Sequence, residues 1–95
     1  MYLYNVSVIV ENPVHDTFLQ WLQSEWFPSI RNDVKFLKML DAPHEGHTYC
    51  IQLIVDNEHD IHIFRDRHLL VLQQYIGSHY AEKIFLFDSI MKYLS

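Results

Sequence analysis

The chain has 95 residues, of which 49% are apolar and 20% charged, and its net charge is −5; this is the composition of one globular domain spanning 1–95, not of a disordered segment. An acidic chain without a Lys/Arg cluster repels phosphate, so nucleic acid and anionic membrane surfaces are excluded as expected partners. No apolar run approaches the ~20 residues of a membrane-spanning helix, and the single cysteine, Cys50, rules out an internal disulfide and fits a reducing compartment.

The opening "YLYNVSVIV", residues 2–10, is aromatic and β-branched and reads as a strand, not as a signal peptide, so the cytoplasm is the expected location. Tyr2, Tyr4, Val6, Val8 and Val10 share its core face; Leu3, Asn5, Ser7 and Ile9 share the other. Asn12 and Pro13 then suit the cap and first position of a helix, along which Val14, Phe18, Trp21, Leu22, Trp26 and Ile30 form one apolar stripe. Pro28 lacks an amide hydrogen and should kink or end that helix. "VKFLKMLDA", 34–42, is the expected second strand, and "PHEG" the turn after it, with Gly46 free to take unusual backbone angles. In the third strand, 47–55, Tyr49, Ile51, Leu53 and Val55 alternate with Thr48, Cys50, Gln52 and Ile54.

A second helix is expected from Asn57, with Asp60 three residues on completing a capping-box-like start. Its stripe reads Ile61, Phe64, His68, Val71, Leu72 and Tyr75, and Gly77 is placed to stop it. The fourth strand falls within 82–94, where Phe85, Phe87, Ser89 and Met91 alternate with Ile84, Leu86, Asp88 and Ile90. The order βαββαβ predicts an α+β, ferredoxin-like sandwich: a four-stranded antiparallel sheet with both helices on one face.

Two helices cover one face of such a sheet. The other is expected to carry Leu3, Asn5, Ser7, Ile9, Leu37, Met39, Cys50, Gln52, Ile54, Leu86, Asp88 and Ile90, too apolar a set for a comfortable solvated surface. Packing against a second copy closes it, because a two-fold pair uses the same patch twice. The alternative is a monomer with a partly greasy sheet.

His68 occupies a stripe position that calls for an oily residue. It is either a buried neutral histidine holding one hydrogen bond or an imidazole facing a ligand cleft. Tyr4, Trp26 and Tyr49 are either core or, with His68, the lining of an apolar pocket with a few polar tips. His44 with His47, and His59 with His62, do not have the spacing of an established zinc site and read as a solvated turn and helix start, so no metal and no cofactor is expected.

The stretches "MYLYNVSV", "FLQWLQSEWFPSI" and "FRDRHLLVLQQYIGSHYAEKIFLF" resemble an uncharacterised family of short bacterial proteins that open Tyr-x-Tyr-Asn-Val and carry a Trp-rich first helix ending near a proline. More broadly the chain is similar to the dimeric α+β barrels, which include small monooxygenases and haem-degrading proteins. The resemblance implies a homodimer with sheets face to face and, in each subunit, a cleft between helices and sheet. A cleft histidine that such proteins carry two residues before the first-helix proline is Trp26 here, while His68 matches the histidine of the second helix.

The expected function is binding of a small apolar or aromatic molecule by Tyr4, Trp26, Tyr49 and His68 in that cleft. The alternatives are a cofactor-independent monooxygenase-like enzyme, in which His68 takes a proton, and a purely structural dimerisation domain.

Overall fold

The computed structural model describes residues 1–43 and 45–95. Four strands, β1 (Tyr2–Val10), β2 (Val34–Lys38), β3 (His47–Val55) and β4 (Ile84–Lys92), form one antiparallel sheet in the order β2-β3-β1-β4. The first helix, residues 12–29, opens with a 3-10 turn (Asn12–Val14). It continues as α-helix (His15–Trp21) and π-helix (Leu22–Trp26), then closes in a second 3-10 turn (Phe27–Ser29) that contains Pro28. The second helix, residues 59–79, is α-helical over His59–Phe64, π-helical over Arg65–Leu69 and α-helical again over Leu70–His79. This is the ferredoxin-like βαββαβ arrangement.

Alternation decides which side of the sheet is buried. Tyr4, Val6, Val8 and Val10 of β1 and Tyr49, Ile51 and Leu53 of β3 lie in one core with Phe18, Leu22 and Trp26 of the first helix and Ile61, Phe64, Leu69, Leu72 and Ile76 of the second. Both helices therefore cover the same face. They run antiparallel: Trp21 stacks on Tyr75 at 3.6 Å and 3°, and farther along Trp26 donates its indole N–H to the His68 carbonyl at 3.0 Å.

Five details depart from the sequence reading. β4 presents the opposite face: its register sets Leu86 against Val8, Asp88 against Val6 and Ile90 against Tyr4, so these three lie under the helices, while Phe85, Phe87, Ser89 and Met91 face outward. Residues 84–91 are apolar on both sides, so alternation alone leaves the choice open, and pairing with β1 makes it. β2 ends at Lys38: the Met39 amide reaches on, to the Thr48 carbonyl at 2.9 Å, and Leu40 stands in solvent. Asn12 does not cap the first helix but is the first residue of its 3-10 turn. The second helix passes through Gly77 to His79. Finally, Val71 is exposed, whereas Leu69, Leu72 and Ile76 are buried. The π stretch rotates the face that follows Phe64, so the buried set steps 64, 69, 72, 76: Leu72 of the expected stripe is buried, whereas Leu69 and Ile76 take the places expected of His68, Val71 and Tyr75.

Other expectations hold. The Asn57 side chain accepts the Asp60 amide at 3.1 Å, the expected start of the second helix. Gly46 adopts φ +87°, and a Cβ there would lie 2.5 Å from the Val10 carbonyl oxygen, so the turn into β3 requires glycine on two counts.

Candidate functional site

The four residues expected to line a cleft occupy three places. Tyr4, only 1% exposed, lies beneath the second helix, where its hydroxyl donates to Asp88 Oδ2 at 2.6 Å and accepts from Arg65 Nε at 3.3 Å. Arg65 also pairs with Asp88 at 3.1 Å, and its guanidinium lies 5.1 Å from the Tyr4 ring. Burial first, and then the Asp88 carboxylate, push the Tyr4 phenol well above its ordinary range, so it remains a donor.

Trp26 and His68 meet where the two π stretches face each other. The indole, 2% exposed, reaches the His68 backbone carbonyl rather than the ring. The imidazole packs 5.1 Å from Phe64, whose other side meets Tyr4 at 6.1 Å, so one phenylalanine separates the two places. Burial, then the nearby Arg67 charge, lowers the His68 pKa, which favours the neutral ring.

Tyr49 stands apart, at the β2 side of the sheet. It is 6% exposed, stacked on Phe36 at 5.0 Å, with Lys38 Nζ 6.0 Å from its ring. Its hydroxyl meets His15 Nε2 at 2.6 Å, and His15 Nδ1 meets Asp16 Oδ1 at 2.8 Å. With Nδ1–H donating to the carboxylate, Nε2 accepts from the phenol, so carboxylate, imidazole and phenol form one chain. The His47 ring lies 3.8 Å from that of His15, tilted by 31°. Burial, then His15 and Lys38, lower the His47 pKa, while Asp16 opposes them. Sequence reasoning missed His15, Arg65 and Asp88. Their partners are 34, 61 and 84 residues away along the chain, and no local spacing signals such contacts.

The hollows around Phe87 lie on the sheet's uncovered side. One of about 420 Å³ is bounded by Ile9, Glu11, Asn12, Pro13, Glu45, Gly46, Phe85 and Phe87. Another, of about 380 Å³, is bounded by Ser7, Ile9, Met39, Pro43, Thr48 and Phe87, so the two share Ile9 and Phe87. Thr48 is buried in its floor, with Oγ1 unpartnered among the described residues. Across the centre of this face, Gln52 donates to Asn5 at 3.2 Å, Asn5 to Ser7 at 3.1 Å, and Ser7 meets Cys50 at 3.9 Å.

Of the histidine pairs read as a solvated turn and helix start, His59 and His62 are exposed and His44 lies outside the described residues. Among the described residues, no three His, Cys, Asp or Glu side chains converge as a metal site would require, and no helix is long and apolar enough to cross a membrane.

A family model described as a domain of unknown function, DUF4286, matches residues 1–94, and the chain belongs to that family. No curated protein and no solved structure matches it.

Proposed function

We propose that this member of the DUF4286 family works as a homodimer whose sheets pack face to face and enclose a small apolar or aromatic molecule. The observation that carries the reading is the composition of the uncovered face. Leu37, Met39, Ile54, Phe85, Phe87 and Met91 are exposed there, Phe87 by 62%. Lys35, at the edge, is the one charged side chain among the described strand positions of that face. An apolar surface of this extent marks an interface. The polar strip through its middle bonds within itself, so covering it strands few donors. A second copy is the fitting partner because a two-fold axis apposes the patch to itself.

The hollows around Ile9 and Phe87 suit the ligand, with Phe85, Phe87 and Met39 as walls and Ser7 as a polar contact. The helix side suits it less, because the polar tips of Tyr4, Trp26 and Tyr49 already bond to the protein. Even so, one observation favours a cleft there: both helices leave α geometry where Trp26 meets His68, and π stretches recur at functional sites. In that reading a neutral His68 takes a proton from a bound substrate.

Sedimentation of the wild type and of Phe87→Glu tests the dimer: the wild type should sediment as two chains and the variant as one folded chain. A wild type that stays monomeric at high concentration overturns it. Titrating naphthol into labelled protein separates the ligand sites, since resonances of Ile9, Met39 and Phe87 should move in the first reading and those of His68 in the second.

A further inference from the structure

We propose that His15 and His47 form an acid-released latch that holds the start of the first helix against the start of β3. The two rings belong to segments far apart in sequence, and their approach at 3.8 Å, tilted by 31°, joins the two segments side chain to side chain. His15 is the centre. Its side chain is only 15% exposed, and both ring nitrogens are engaged, one by Asp16 at 2.8 Å and one by the Tyr49 hydroxyl at 2.6 Å. The backbone beneath is tightly set, because Val10 pairs with His47 and Gly46 packs against the Val10 carbonyl too closely for any Cβ.

The groups around the pair give the latch its direction. Asp16 on the first helix is the carboxylate beside it; Lys38 on β2 is the cation; Tyr49 on β3 is a neutral phenol whose pKa burial raises. Beyond them, Glu11 Oε2 lies 3.5 Å from Lys83 Nζ. A doubly protonated His15 ring fits its present contacts: Nδ1–H keeps Asp16, and Nε2–H donates to the Tyr49 oxygen. A proton on His47 meets the charged His15 ring 3.8 Å away and Lys38 behind it, and Asp16, the carboxylate that opposes them, is already bonded to His15. Two like charges at this separation repel in a partly desolvated site, and the rings part. The parting frees the corner formed by residues 11–13 and 45–46, which is also a wall of the larger hollow on the uncovered face. The latch stands whether or not that hollow holds a ligand.

The test pairs histidine ring titration by NMR with amide hydrogen exchange, corrected for intrinsic rates, between pH 7.5 and about 5. The Val14 and His15 amides, which bond to the Glu11 and Asn12 carbonyls, report the corner; those of Val6 and Leu53 report the sheet interior. In the wild type, protection of the corner should fall by about tenfold more than that of the interior on acidification. His47→Phe keeps a flat ring on His15 but accepts no proton, so its corner should stay protected across the range. His15→Gln removes the opposing charge, so the His47 titration should move up. The latch is refuted if His47→Phe loses corner protection on acidification as the wild type does. It is equally refuted if His47 titrates alike with and without His15.

Discussion

At the residue scale the buried hydroxyls and rings define what single substitutions do. The Tyr4 hydroxyl sits between a carboxylate and a guanidinium beneath the second helix. Tyr4→Phe keeps the ring and deletes the bridge, leaving Arg65 and Asp88 still paired with each other. Denaturant unfolding should show a loss of about 1–2 kcal/mol, the scale of a hydrogen bond to a charged group whose partners retain one another. The histidines set the acid limb of the stability curve. His47 and His68 both hold a pKa below the ordinary value of about 6.5 in the folded chain. The unfolded chain therefore binds protons first as pH falls. Their contribution is complete above about pH 6.5, is lost as pH drops from there towards the lowered folded values, and changes no further below them. Urea unfolding of the wild type and of His68→Leu should diverge in slope across this window, with the variant flatter. His68 was legible as a stripe histidine of uncertain purpose. Its π-helical setting was not, because a bulge of one residue leaves no mark in composition.

At the element scale the sequence and the structure agree wherever one face of an element is clearly oilier than the other. β1 alternates cleanly and β3 does so from Tyr49 onward, with Thr48 buried on the opposite side; Tyr4, Val6, Val8 and Val10 and Tyr49, Ile51 and Leu53 lie on the core faces as the pattern requires. β4 does not. With phenylalanine on one face and isoleucine and leucine on the other, only pairing against β1 fixes its orientation. The correction moves Phe85, Phe87 and Met91 to the open side and makes that side more apolar than the sequence reading had it. Gly46 illustrates the opposite case, a local requirement visible in the sequence as a turn glycine and explained by two separate constraints. Gly46→Ala should cost about 1–3 kcal/mol. Thermal unfolding checks it, and a variant as stable as the wild type would show that the turn into β3 relaxes freely. The candidate cleft was the least legible feature. Tyr4, Trp26 and Tyr49 were recognisable as large inward side chains, but the groups that engage them come from distant strands and helices.

At the scale of the whole molecule, the uncovered face couples folding to association. If two copies bury this face, the dimer is the more stable folded species, and unfolding releases two chains from one assembly. Mass action then makes the thermal midpoint rise with protein concentration, since dilution favours the separated, unfolded chains. The dependence should vanish in Phe87→Glu, which places a charge at the most exposed ring of the face without touching the helix-covered core. Leu86→Glu is the matched control. It alters the neighbouring residue on the other side of the same strand, where Leu86 packs against the core, and should lower the midpoint at every concentration. Scanning the three proteins over a hundredfold range of concentration distinguishes the two sides of β4 directly. A wild-type midpoint that ignores concentration would mean that the greasy face does its work in a single chain.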